Sequence, residues 1–177
     1  MATRIDSPRR APCFGRRMLS TPTATRTVVI GETLGRYLIA LFQGLFIVGA
    51  AWMLFGVQWG DWTATLALLL AFSLVGTAAG MLIGSLFSND QQAGGIGVML
   101  GMGFGALGGT MIPLEIFPET MRRVAHVTPH AWGMDAFSDI FRGGGIADIL
   151  PELGVILAMG TGILALAIVA FRRSITS

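Results

Sequence analysis

Four long stretches without a charged residue constrain this chain more than any other feature of its sequence. They are residues 37–60, 62–89, 91–114 and 153–171, and they contain 24, 28, 24 and 19 residues. An α-helix needs about 20 apolar residues to cross the hydrocarbon core of a bilayer, so each stretch is long enough for one crossing. The sequence therefore predicts an all-α integral membrane protein with about four transmembrane helices, at about 37–60, 63–87, 93–113 and 153–171.

The composition of the chain excludes several classes of function. Charged residues make up only 12% of it, whereas they form about a quarter of an ordinary soluble domain. All 12 basic residues are arginine, so the chain has no lysine for a Walker A motif or a Schiff base. The single cysteine, Cys13, excludes an internal disulfide. We therefore expect a membrane protein that is not an enzyme and has no cofactor.

The distribution of arginine predicts how the chain lies in the membrane. Seven arginines precede the first predicted span and two follow the last, against three between the third and fourth spans. Positive residues accumulate on the cytoplasmic side, and an even number of spans places both termini on one side. We therefore expect both termini in the cytoplasm and residues 115–152 outside. The basic balance indicates contact with the lipid bilayer, and nucleic acid is not expected as a partner.

Glycine recurs at every fourth residue in two of the predicted spans. Residues four apart share one helix face, and small residues allow the close backbone approach on which helix association in lipid depends. In a second interpretation, such rows let neighbouring helices slide past one another during a transport cycle. The fourth span has a shorter row, Gly154, Ala158 and Gly162. The predicted helix-packing residues are Gly76, Gly80 and Gly84 in the second span and Gly97, Gly101, Gly105 and Gly109 in the third.

Residues 113–151 carry start and stop signals for short helices. Pro113 begins this segment, and Pro118 can take the first position of a helix. Thr128 and Pro129 repeat the start signal, and the run 143–145 of three glycines is a stop signal. In the last of these helices, Trp132 and Phe137 fall on an apolar side, opposite Asp135. We therefore expect short amphipathic or re-entrant outer helices before the last span. Trp132 and Phe137 are predicted to anchor at the interface, and Asp135 to face water or a partner subunit.

Two histidines and one serine are the candidates for metal or nucleophilic chemistry. His126 and His130 are four residues apart, but Pro129 interrupts the turn between them and no third ligand is evident, so no metal site is predicted. Ser85 and His126 would be a nucleophile and its base. The predicted topology places them near opposite faces of the membrane, which argues against an intramembrane enzyme.

Motifs before the first span and in the outer segment resemble those of the permeases of type-2 ABC exporters. Before the span, residues 16–26 read RRMLSTPTATR and residues 31–36 read GETLGR. In the outer segment, residues 113–118 read PLEIFP and residues 128–132 read TPHAW, which is similar to the pattern after the fifth helix of that family. The similarity runs from about Phe14 to the C-terminus.

The resemblance implies a membrane-spanning permease subunit of an ATP-binding cassette exporter in the bacterial inner membrane. Two such subunits usually line the path, and a partner hydrolyses ATP, so an ABC ATPase subunit and a second permease subunit, identical or different, are the implied partners. Residues 37–177 would be the transmembrane domain and correspond to the third to sixth of six family helices. Residues 16–36 would be the coupling segment and the start of the first span. The implied ATPase-docking residues are Arg16, Arg17, Met18, Leu19, Ser20, Thr21, Pro22 and Thr23.

Several alternatives stay open at the level of the sequence. Arg16 and Arg17 would also suit anionic lipid headgroups, which attract each nearby arginine by about 1 kcal/mol. Residues 1–15 form a divergent segment, and the first two family helices have no counterpart, so a non-functional truncated permease is one alternative. A non-catalytic four-helix scaffold is another. The apolar spans favour a lipophilic substrate, and Glu32 and Arg36, four residues apart, are expected to pair on one helix face.

Overall fold

The computed structural model describes residues 25–87 and 89–176, and every regular element in these ranges is helical. The predicted all-α fold class is therefore confirmed. A short 3₁₀ helix at Leu114–Ile116 lies between the third and fourth α-helices. The α-helices, in chain order, are α1 (Thr25–Phe55), α2 (Trp62–Leu86), α3 (Asp90–Leu107), α4 (Glu119–Ala125), α5 (Pro129–Phe141) and α6 (Leu150–Thr176).

Three of the described helices are long and apolar enough to cross a membrane. They are Thr27–Phe55 within α1, the whole of α2, and Leu150–Arg173 within α6. The third predicted span corresponds to α3, which has 18 residues. At 1.5 Å per residue α3 is about 27 Å long, slightly less than the roughly 30 Å of a bilayer core. A fourth crossing that combines α3 with the chain after it stays a prediction.

Left-handed glycines end two of the helices earlier than the charge-free stretches predict. Gly56 has φ +64°, and α1 ends at Phe55 rather than near residue 60. Gly109 has φ +92°, and the N–H of Thr110 donates to the carbonyl of Gly105 across 3.1 Å. Such a residue closes a helix because side chains other than glycine are strained there. Gly109 therefore follows α3 and does not belong to the glycine row of that helix, which corrects the prediction from spacing.

The buried core is built around α2. In the most apolar part of each spanning helix, the buried share is 39% for α2, 22% for α6 and only 6% for α1. Residues of α2, α5 and the start of α6 form the main cluster, whose largest members are Leu68, Ile140, Ile149 and Ile156. A second cluster joins Val29 of α1, Met81 of α2 and Ala167 of α6. Most of the apolar surface of α1 is left for lipid or for another protein chain.

α6 packs tightly against α2 at Gly160. A Cβ atom at this position would lie 3.2 Å from Cγ2 of Val75 and 3.4 Å from Cγ of Leu74. Gly154 and Gly162, which the four-residue spacing selected, have no neighbour within 4 Å of the same point. The face of α6 that packs against α2 is therefore rotated away from the row that the sequence picked out.

Candidate functional site: a charged cleft, an outer cap and their helices

The implied ATPase-docking residues, Arg16 to Thr23, lie outside the described residues. Their role in docking stays a prediction. The part of the site that the structure describes begins on α1, whose first turns carry Glu32 and Arg36.

A cleft of about 470 Å³ opens between α1, α2 and α3 at the end of the bundle that carries Arg36. Nη2 of Arg36 lies 2.6 Å from Oε1 of Glu32, so the predicted pair is confirmed. The guanidinium lies over two glycines of α2, because a Cβ at Gly80 or Gly84 would be 3.9 or 3.8 Å from its nitrogens. Asp90, the first residue of α3, lines the same cleft. Here the glycine row makes room for an arginine side chain rather than for a neighbouring helix.

The remaining glycines of the two rows do not pack against each other. Gly76 and Gly101 have no neighbour within 4 Å of a Cβ position, and Gly97 has only the side chain of Ile83, at 3.7 Å. Gly105 is buried, and its nearest such neighbour is Oγ1 of Thr110, at 3.2 Å. Within this chain α2 and α3 are thus not held together by interlocking glycines. A packing role for these rows stays a prediction, and it would concern a partner outside the chain.

At the opposite end, the loop between α1 and α2 packs onto α5 through Trp59. The indole Nε1 of Trp59 donates to the carbonyl of Val48 across 3.0 Å. The indole centroid lies 6.1 Å from each of the rings of Phe137 and Phe141. A Cβ at Gly60 would lie 2.7 Å from the carbonyl oxygen of Ile140, so only glycine allows the loop this close. Phe137, predicted as an interface anchor, is half-buried against protein side chains in this aromatic cluster.

His126 lies in the connection between α4 and α5 and takes part in three polar contacts. Nδ1 of His126 lies 2.7 Å from the carbonyl oxygen of Arg122. Nε2 lies 2.7 Å from Oδ2 of Asp135. Nε1 of Trp132 donates to the carbonyl of His126 across 2.8 Å, and the two rings meet edge to face with centroids 5.0 Å apart. Trp132, the second predicted interface anchor, is therefore also bound within the protein.

The side chain of Asp135 is 31% exposed, and the prediction that it faces water or a partner subunit stays a prediction. The carboxylate of Asp135 on α5 meets His126, which directly follows α4, inside the same chain. Partial burial lowers the pKa of His126, but the Arg122 carbonyl and the Asp135 carboxylate outweigh it and raise that pKa above its ordinary value of 6.5. No pattern in the sequence indicates this pair, because a spacing of nine residues belongs to no single helix face.

His130 has different surroundings from His126, so the two histidines do not share a site. Its ring meets Phe72 of α2 edge to face, with centroids 5.3 Å apart. Burial lowers the pKa of His130, and its Nδ1 is buried without a hydrogen-bond partner in the described part of the chain. A Cβ at Gly108 would lie 2.3 Å from Cβ of His130, so this glycine lets the start of α5 reach the end of α3. Among residues 25–87 and 89–176, no group of three histidine, cysteine or carboxylate side chains could hold a metal ion.

A groove runs along α5 on the side that faces the chain between α3 and α4. One part, of about 350 Å³, is lined mainly by apolar side chains, including Met111, Leu114, Met134, Phe137 and Phe141. The adjoining part, of about 400 Å³, is lined mainly by charged residues, namely Glu115, Arg122, Asp135, Asp139, Arg142 and Glu152. The two parts share Leu114, Glu115, Asp135 and Ser138. The groove therefore changes from apolar to charged along its length.

The three predicted prolines lie at the starts of the elements that border this groove. Pro113 precedes the 3₁₀ helix and lines the apolar part. Pro118 immediately precedes α4, so this helix begins one residue later than the sequence predicted. Pro129 is the first residue of α5, as predicted, and Gly143, with φ +94°, follows its C-terminal end.

Comparison with known proteins identifies the family. Residues 14–169 match the family model described as ABC-2 family transporter protein. The chain is 26% identical over 158 residues to the linearmycin resistance permease protein of Bacillus subtilis (strain 168). That alignment covers 88% of this chain and 41% of the relative, so the chain spans less than half the length of that permease. No solved structure matches it significantly.

The matched region begins before the predicted docking residues and continues into α6. It includes α1 and α2, the cleft at Arg36, both parts of the groove and the two short helices α4 and α5. Since the match covers most of the sequence, the chain belongs to the ABC-2 family of transporter permeases.

Proposed function

We propose that this chain is a membrane-spanning permease subunit of an ABC exporter, which moves a lipophilic substrate using ATP hydrolysed by a partner subunit. The observation that carries the proposal is the family match over residues 14–169, which includes the implied docking residues. The relative is named as a linearmycin resistance permease, and resistance to a toxic compound is consistent with export. These 177 residues contain no lysine, so a Walker A site, which requires one, lies outside them.

The groove along α5 supports the proposed direction and substrate class. Its apolar part could receive the body of a lipophilic molecule, and its charged part a polar end. In the proposed orientation α4, α5 and this groove lie on the outer side, where a substrate would leave. The cleft at Arg36 then lies on the cytoplasmic side.

Transport by reconstituted protein tests the exporter function. The chain, any ABC ATPase encoded beside it and any second permease would be placed in proteoliposomes with a fluorescent lipophilic probe. A version extended by any coding sequence upstream would be run in parallel. We expect ATP-dependent movement of the probe that stops with a non-hydrolysable ATP analogue. Assembly of the three chains without such movement would favour the scaffold function instead.

The orientation of the chain gives a direct labelling prediction. Cysteines introduced at Gln58 or Ala147 in a Cys13→Ser background are expected to react with a membrane-impermeant maleimide in intact cells. Both positions are exposed and lie in loops at the α5 end of the bundle. Native Cys13 is expected to react only after the cells are permeabilised. Labelling of Cys13 from outside would place the termini on the wrong side and refute the proposed topology.

The open glycine face of α3 gives a prediction about the second permease subunit. Gly101→Leu is expected to reduce recovery of that subunit in a pull-down from detergent, because small residues favour close helix contacts in lipid. Neither Gly101 nor Gly103 has a neighbour within 4 Å of a Cβ position, so leucine fits the isolated chain at both. Gly103→Leu lies on another face of α3 and serves as the control. Equal recovery with both variants would remove Gly101 from the subunit interface.

A further inference from the structure

Both ring nitrogens of His126 face hydrogen-bond acceptors. Nδ1 lies 2.7 Å from the carbonyl oxygen of Arg122 on α4, and Nε2 lies 2.7 Å from the carboxylate of Asp135 on α5. A neutral imidazole carries one N–H and can donate only one of these bonds, whereas the imidazolium donates both. This arrangement of two acceptors therefore favours the protonated histidine.

His126 directly follows α4, and its contact with Asp135 ties the end of α4 to α5, whereas its contact with Arg122 lies within the last turn of α4. α4 has seven residues, and of these only Ala125 is buried. Met121, Val124 and the following Val127 are exposed by 45%, 51% and 73%. A weakly packed segment of this kind opens at low free-energy cost. The position of α4 against α5 therefore depends on the small cluster around Ala125 and on the bonds of His126 and Trp132.

We propose that His126 and Asp135 form a proton-operated clasp that holds α4 against α5 and narrows the charged part of the groove when His126 is protonated. Loss of the proton removes one of the two bonds. If Nδ1 keeps its hydrogen, the lone pair of Nε2 faces the carboxylate. If Nε2 keeps it, the lone pair of Nδ1 faces the carbonyl of Arg122. In both cases a ring lone pair faces an acceptor oxygen at 2.7 Å, and their repulsion moves the ring out of this position. Arg122 of α4 and Asp135 of α5 both line the charged part of the groove, so separation of α4 from α5 widens this part.

The charged groups around the histidine agree with this assignment. Asp135 faces the ring from α5 and favours the proton, whereas the positive charge of Arg122, one turn earlier on α4, opposes it. Besides Asp135, the charged part of the groove is lined by Glu115, Asp139 and Glu152, and Arg142 lies near the first two of these. The acids outnumber the arginines there, which keeps the surroundings favourable to a cation. The clasp goes beyond the proposed transport function and does not depend on it.

The sign of the pH dependence follows from the raised pKa of His126. A group that is more basic in the folded state stabilises the fold fully below its unfolded pKa, here about 6.5, and this contribution is lost as the pH rises through the folded value. The clasp is therefore closed in acid and opens as the medium becomes neutral to alkaline. His130, whose pKa is lowered by burial, would titrate on the other side of 6.5.

The titration can be read from Trp132, whose ring contacts that of His126. Purified full chain in lipid nanodiscs would be titrated by tryptophan fluorescence, with Trp132→Phe used to isolate the signal of this residue. We expect a transition with a midpoint above 6.5, a lower midpoint in Asp135→Asn, and no such transition in His126→Gln. A wild-type midpoint at or below 6.5, or one that Asp135→Asn leaves unchanged, would overturn the assignment of the proton to this pair.

Opening of the groove requires a second measurement. Ser138 lines both parts of the groove, whereas Ala147 is exposed in the loop before α6. Cysteines at these positions in a Cys13→Ser background would be labelled with maleimide between pH 6 and pH 8. The ratio of the two rates removes the pH dependence that the two thiols share, and His126→Gln controls for the rest. We expect this ratio to rise severalfold in the wild type and to stay constant in His126→Gln. A ratio independent of pH in the wild type would refute the clasp.

Discussion

Replacing Met18 and Leu19 by aspartate is expected to abolish co-purification of the ATPase subunit while leaving the chain inserted in the membrane. The proposed docking residues precede the first helix able to span the bilayer, which begins at Thr27, so insertion should not depend on them. Buried apolar anchors dominate the affinity of protein interfaces, and charges at their rim act mainly on association rate. Arg16→Ala with Arg17→Ala should therefore weaken recovery less, with an effect that depends on salt.

The same experiment separates docking from lipid anchoring. If the segment only binds anionic headgroups, the two arginines matter through their summed attraction to the surface and Met18 and Leu19 do not affect the partner. The order of the two double variants would then be reversed. Extended forms of the chain belong in the same series, because the relative is more than twice as long as the aligned region. If no form retains an ATPase under conditions that preserve an established exporter complex, the proposed function fails.

Gly160→Leu is expected to lower the stability of the helix bundle by about 1–3 kcal/mol, the usual cost of overpacking a close contact. Gly160 is buried where α6 crosses α2, and even a Cβ there would lie 3.2 Å from Val75 and 3.4 Å from Leu74. Gly162→Leu is the matched control, since it makes the same chemical change two residues away in open space. Both variants gain the same helix propensity, so their difference reports packing alone. Thermal unfolding of the two purified proteins in one detergent measures it, and equal midpoints would contradict the described α2–α6 contact.

Much of the fold could be predicted because hydrophobicity and charge act locally. The charge-free stretches found the long helices, since a bilayer admits few other structures for them. Thr128 and Pro129 marked the start of α5 correctly, and the spacing of Glu32 and Arg36 predicted their bond. In each case the information lies within a few residues of the feature itself.

The rotation of helices and the pairing of distant residues could not be predicted in the same way. A row of glycines shows that one face is flat, but several rows compete, and α6 uses Gly160 instead of Gly162. Gly80 and Gly84 receive the side chain of Arg36, which no spacing rule predicts. The uncharged stretch 37–60 predicts a span that includes Trp59 near its end. The flanking Gly56 and Gly60 were the available signal that the helix had already ended, and both are left-handed in the structure.

The contact between Trp59 and α5 has a consequence for the synthesis of the protein. Its partners, Phe137 and Phe141, come about 80 residues later in the chain, and ribosomes add about 5–20 residues per second. The indole is therefore made some 4–16 seconds before the rings that cover it. During this interval the α1–α2 hairpin exists with its connecting loop uncovered, and the loop is completed only after α3, α4 and α5 have been made. The loop is thus among the first parts of the bundle to be synthesised and among the last to reach its final contacts.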